Sequence, residues 1–113
     1  NLLHNAVKYT KEGEVRLSAR VEGDGVYIRV EDTGPGIPPA EHERIFEPFV
    51  RIERGEAKES RGMGLGLAVV RRYVQAHGGW VKLSSQEGRG SSFTIFLPRR
   101  PLPSIPSPKG ALR

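Results

Sequence analysis

The 113-residue sequence contains no cysteine, one methionine and one tryptophan. Without cysteine there is no disulfide scaffold, no thiolate zinc site and no cysteine nucleophile. No apolar run reaches the roughly 18 residues that a membrane-spanning helix requires. No signal or transit pattern is present, because helix-like sequence starts at once from Asn1. A chain that opens inside an element, without a methionine, is expected to be a fragment. Apolar residues make up 36% of the chain, enough for a two-layer core but below the globular norm. The length allows one small domain.

Charge of one sign is also scarce on the body of the chain. The formal net charge is +5, from 18 basic and 13 acidic residues. Arg99, Arg100, Lys109 and Arg113 lie in residues 98–113, which hold no acid; the other 14 basic residues against the same 13 acids leave +1. That segment also holds five of the nine prolines. It reads as a disordered, basic, proline-rich tail. A nucleic-acid surface would need its basic residues clustered on the folded body, so no nucleic-acid partner is expected.

The apolar pattern predicts a helix over residues 1–10, with Leu2, Leu3, Ala6, Val7 and Thr10 on one side and Asn1, Asn5 and Lys8 on the other. Val15, Leu17, Ala19 and Val21 alternate with polar residues, as in a half-buried strand. Glu22-Gly23-Asp24-Gly25 is a hairpin turn into a second strand carrying Val26, Ile28 and Val30. A loop, Asp32 to Pro39, leads to a short helix expected from Pro39 to about Glu47. Residues 50–62 read as a mobile charged loop. A long helix is expected from Gly64 to Ala76 or His77, buried through Leu67, Val70, Tyr73 and Val74 and stopped by Gly78-Gly79. Trp80–Ser85 and Ser91–Leu97 are two further strands. This order predicts an α+β two-layer sandwich, with helices on one face of a mainly antiparallel sheet.

Three places could carry chemistry. Asn1, Asn5 and Lys8 fall within about 60° of one another on the first helix. Amide oxygens suit a magnesium ion that keeps most of its waters, and a lysine one turn on can neutralise phosphate. The spacing alone fits an ordinary solvated face better. Asp32 ends a strand and opens a loop with Gly34 and Gly36. Its carboxylate can accept from an exocyclic amine such as that of adenine, while the glycines let backbone approach a flat ring. A tight turn with an aspartate bonded locally is an equal reading. Gly62, Gly64 and Gly66 alternate at the head of the long helix, where exposed amides bind phosphate. A flexible hinge is the alternative. Neither a Rossmann fingerprint nor a P-loop is present. His4, His42 and His77 lack metal-ligand spacing.

In order, these pieces resemble the ATP-binding catalytic domain of bacterial sensor histidine kinases, within the GHKL ATPase superfamily. NLLHNAVKYT resembles the asparagine box, DTGPGIP the first glycine box, IFEPFVR the phenylalanine box, GMGLGLAVV the second glycine box and GRGSSF the last glycine-containing segment. The match covers residues 1–97. The Lys-Tyr-Thr ending and the phenylalanine box favour histidine kinases over the topoisomerase, chaperone and mismatch-repair branches.

The resemblance implies a GHKL fold, with a mixed and mainly antiparallel sheet, and binding of ATP and Mg2+. It implies that Asn5 ligates magnesium with Asn1 nearby, that Lys8 meets the phosphates and that Tyr9 lies against the nucleotide. Asp32 would bind the adenine amino group in a pocket shaped by Gly34, Gly36 and Ile37, with Ile45 near the base. Arg51 would reach the phosphates, and residues 50–62 would form the lid. Gly62, Gly64, Leu65, Gly66 and Leu67 would close over the phosphates, and Ser92 would support Asp32 or a water. No catalytic base is implied within the chain.

The implied partners are a dimerisation and phosphoacceptor domain of the same homodimeric parent and a response-regulator receiver domain. The implied place is the cytoplasm, whether or not the parent is anchored in the inner membrane. Met63 stands where the family often has a hydroxyl residue, and Val50 where it commonly has a larger one. The strand and helix that open the family's domain are missing, as is the phosphoacceptor histidine. A degenerate nucleotide-binding or docking module and an anti-sigma-type serine kinase are the alternatives.

Overall fold

The computed structural model describes residues 1–48 and 66–99. Helix α1 spans Leu2–Tyr9, strand β1 Val15–Glu22 and strand β2 Gly25–Asp32. Two 3-10 turns follow, Pro39–Glu41 and Arg44–Phe46. Helix α2 covers Gly66–Ala76, β3 Trp80–Gln86 and β4 Gly90–Pro98. The strands form one sheet in the order β1-β2-β4-β3, and all three pairings are antiparallel. The two-layer α+β architecture is the one the sequence pattern predicts.

The register explains the layers. Leu17, Val30, Phe93 and Leu83 form one cross-strand row, and Ala19, Ile28, Ile95 and Val81 the next. These rows share the inner face, because side chains alternate along a strand. Val30 and Phe93 are buried there with Leu2 and Ala6 of α1 and with Ile37, Ile45 and Phe46 from the loop between the layers. The outer face carries a different row, Arg20, Tyr27, Phe96 and Trp80. Its rings touch in sequence at centroid distances of 5.0 Å (Tyr27 to Phe96) and 5.5 Å (Phe96 to Trp80). Arg20 lies 4.5 Å over the Tyr27 ring and Lys82 4.8 Å over the Trp80 ring, so cations cap the aromatic strip toward water.

The elements differ from expectation in four ways. The helix expected from Pro39 is two 3-10 turns instead, closed by Glu41 N–H to Pro38 O and Glu47 N–H to Arg44 O. The bonds there reach back three residues, not four, so each short turn closes by itself and no continuous α ladder forms. On α1, Leu2 and Ala6 are buried but Leu3 and Val7 are exposed. The helix is rotated so that Asn5 and Tyr9 are half-buried and border the core. On β1 the apolar set is exposed beyond Val15, with Leu17 at 55% and Val21 at 65%. On α2, Val74 is buried and Leu67 and Val70 are partly buried, but Tyr73 is exposed.

The turns behave as their residues require. The register Glu22 to Gly25 leaves Gly23-Asp24 as a two-residue hairpin loop, with Gly23 at φ +58°. Helix α2 ends where Gly78, at φ +82°, donates to Gln75 O and Gly79 donates to Val74 O.

Candidate functional site

The site sits at the end of the sheet where β2 and β4 meet the loops. One inner-face row there reads Val15, Asp32, Ser91, Ser85. The apolar row of Val30 and Phe93 lies directly beside it. A strip of polar acceptors therefore borders an apolar floor.

Asp32 is half-buried and makes a tight turn: the amide of Gly34 donates to its Oδ1 at 2.9 Å. Among the described residues no hydrogen bond involves Oδ2, so local bonding leaves half the carboxylate available. Gly34 then fixes a cradle. A Cβ at that position would lie 3.0 Å from Thr10 Oγ1, 3.0 Å from Tyr9 O and 3.1 Å from Asp32 Oδ1. Thr10 Oγ1 is buried and has no partner among the described residues. Buried hydroxyls are nearly always hydrogen-bonded. An orphaned one beside a partly free carboxylate marks a place where a polar ligand or water belongs.

The loop after Asp32 is pinned to the opposite strand pair. Gly36 adopts φ +76°, and Ile37, 4% exposed, donates its amide to Ser85 Oγ at 2.7 Å. Ser85 Oγ also donates to Gly90 O at 3.0 Å and lies 2.9 Å from Ser91 Oγ. Gly88 N–H to Pro35 O, 2.8 Å, closes a second tie. His42 Nε2 bonds Ile37 O at 2.8 Å from the other side. Ile37 is thus held at both its amide and its carbonyl.

The first helix faces the start of α2. A Cβ on Gly66 would lie 3.5 Å from Asn1 Oδ1, so the asparagine face and the first described turn of α2 are in contact range. Asn5 and Lys8 are half-buried on the same side of α1, and Lys8 Nζ lies 5.5 Å from the Tyr9 ring centroid. Arg71 of α2 lies 5.2 Å from the Phe46 ring centroid and 3.7 Å from Glu43, tying α2 to the 3-10 segment. Ile45 is buried in the core and Leu67 packs partly against it.

Tyr9, Asp32 and Gly34 meet beside Thr10, Gly36 and Ile37 lie on the adjoining loop against β3 and β4, Asn1 lies beside Gly66, Ile45 and Leu67 belong to the core or pack against it, and Asn5 and Lys8 are half-buried on α1. Arg51, Gly62, Gly64 and Leu65, with Met63, Val50 and the lid, lie outside the described residues. Ser92 lies one residue on from the strand partner of Asp32. It pairs with Glu31 and so faces outward. With Arg16, Glu31 and Ser84, and with Asp32 and Ser91, it lines an open depression of about 640 Å³. The inner-face partner of Asp32 is Ser91, 7% exposed. Strand parity could have identified it: Ser91 is two residues before Phe93, which an inner-face core demands.

The comparisons with known proteins decide the family. The profile of the histidine kinase-, DNA gyrase B- and HSP90-like ATPases matches residues 1–101. The chain belongs to this family. Among its relatives, the alginate biosynthesis sensor protein KinB of Pseudomonas aeruginosa is 46% identical over 99 residues, covering 87% of this chain and 16% of KinB. The sensor histidine kinase RcsC of Escherichia coli K12 is 42% identical over 98 residues, 87% of this chain and 10% of RcsC. The chain thus spans a small fraction of the length of these curated relatives.

Among solved structures, the mycobacterial sensor histidine kinase MprB superposes with a TM-score of 0.73 at 33% identity, covering 89% of this chain and 67% of that one. Full-length ShkA in complex with AMPPNP gives 0.73 at 41% identity, covering 86% of this chain and 19% of that one. This ATPase-family chain is a catalytic ATP-binding domain related to histidine kinases, with the GHKL fold. Domains of this kind bind ATP with magnesium. The residues present fit such a ligand: the Gly34 cradle, the orphaned Thr10 hydroxyl and the available Asp32 oxygen stand at one end, and two asparagine amides with a lysine stand on α1.

Proposed function

We propose that this domain is the Mg-ATP-binding catalytic portion of a two-component sensor histidine kinase. It would supply the γ-phosphoryl group to a histidine on a separate dimerisation domain of its homodimeric parent, from which the group passes to a response regulator. The observation that carries the reading is the convergence of Thr10, Asp32 and Gly34 at one end of an apolar floor, with Asn1 beside Gly66 at the start of α2. Asp32 accepts from the adenine amine. Ile37 and Ile45 supply apolar packing beside it. Asn5 holds magnesium through its amide oxygen, and Lys8 offsets phosphate charge. Phosphoryl transfer needs little covalent chemistry from the protein, so positioning and charge neutralisation are the work this domain does. Its relatives' names, a sensor protein and a sensor histidine kinase, support the same role.

The test is phosphorylation of the full-length parent with labelled ATP, followed by acid treatment. Acid-labile label that is lost in Asn5→Ala supports the reading. Acid-stable label would point to a serine kinase, and a parent that ignores nucleotide would point to a degenerate docking module.

A further inference from the structure

Ser85 spends its hydroxyl in a way that constrains its neighbour. A serine hydroxyl has one proton to donate and two lone pairs. Ile37 N–H donates into Ser85 Oγ at 2.7 Å. The contact to Gly90 O, 3.0 Å, can be made only with the Ser85 proton, since a carbonyl oxygen does not donate. Ser91 Oγ, 2.9 Å away, must then be the donor in the pair. The reverse orientation would turn the Ser85 proton away from Gly90 O and make one bond fewer. Ser85 is saturated in this arrangement, and the proton of Ser91 points at Ser85, away from the Asp32 side of the row.

We infer that Ser85 is a specificity-determining, positioning residue: it fixes the direction of the Ser91 proton so that Ser91 meets the base as an acceptor. Asp32 and Ser91 are directly opposed in the β2–β4 register on the inner face. Ser91 then offers lone pairs next to a carboxylate. A 6-amino purine can donate to both, whereas a 6-keto purine brings an acceptor to acceptors. Rejection follows because the buried groups are left unpaired. Removing the Ser85 hydroxyl would free the Ser91 proton to turn and donate to a keto oxygen. This inference rests on the nucleotide reading given above.

The test compares ADP and IDP, which differ in the group at position 6 (amine against keto), binding to the full-length protein with excess Mg2+. The wild type should prefer ADP. Ser85→Ala should lower the IDP-to-ADP ratio of Kd values by about tenfold, the scale of one hydrogen bond. Ser85→Thr, which keeps the hydroxyl, should hold the ratio. A purely structural role, through the tie to Ile37, would weaken both nucleotides alike. An unchanged ratio in folded Ser85→Ala therefore overturns the inference, as does a wild type that binds both equally. If Ser85→Ala does not fold, Ser91→Ala takes its place: a fall in the ratio supports the inference and an unchanged ratio overturns it. A wild type that binds neither nucleotide brings down the underlying ATP reading, and the inference with it, in a separate arm of the experiment.

Discussion

The backbone of Gly36 lies so close to Gln86 that a Cβ on the glycine would stand 2.2 Å from the Gln86 carbonyl oxygen. The loop that follows Asp32 is therefore sealed directly onto the turn between β3 and β4. The bonds from Ile37 to Ser85 and from Gly88 to Pro35 flank that contact on either side. The position of Ile37 over the apolar floor depends on this seam.

Gly36→Ala should consequently be far more damaging than Gly23→Ala. Both glycines have positive φ, +76° and +58°, so either alanine meets a left-handed backbone cost of about 1–2 kcal/mol. Gly23 has no atom within 4 Å of the added methyl. Gly36 must in addition push two strands' connection away, adding strain of about 1–3 kcal/mol. Calorimetry of the full-length protein, following the transition that ADP raises, should show the larger Tm loss for Gly36→Ala. Equal losses would mean that the seam gives way freely.

Asp32→Asn should weaken ADP binding by about 1–3 kcal/mol, the cost of leaving a buried amine against a poorer partner. The turn should survive, because the asparagine carbonyl can still accept from the Gly34 amide that now bonds Oδ1. Titration calorimetry of the full-length variant reads the affinity, and an unperturbed melting transition without nucleotide shows that the turn is intact. Unchanged affinity would remove Asp32 from the pocket.

Alternation made the strands legible: Val26, Ile28 and Val30 mark one face whatever lies on it. What alternation cannot supply is whether a face is covered. Leu17 and Val21 carry the same signal as Val30, yet they are exposed and Val30 is 3% exposed. The asparagine box was readable as residues on one helix face, but its orientation was not. The apolar arc of α1 includes Leu3 and Val7, and only packing against the sheet shows that the buried side centres on Leu2 and Ala6, with Asn5 at its border. Ser91 and Ser92 are chemically identical, so composition could not separate them; the antiparallel register does, by placing one beside Asp32 and the other beside Glu31. The tie of Ile37 to Ser85 connects residues 48 apart, and no local pattern encodes a partner at that distance.

Leu3, Val7, Leu17 and Val21 are 43%, 65%, 55% and 65% exposed, and β1 is an outermost strand of the described sheet. Apolar side chains beside an open strand edge are a template for pairing with another chain. Residues 1–113 produced alone should therefore self-associate, with sedimentation coefficients that rise with concentration. Lysines at Leu17 and Val21 should suppress this, since charge on an edge strand disfavours edge pairing and neither side chain contributes to the buried core. Loss of those two leucine and valine contacts should cost little stability, because exposed positions usually change it by less than about 0.5 kcal/mol. A chain that stays monomeric at every concentration and melts sharply at a concentration-independent temperature would show that the exposed strip is tolerated in water.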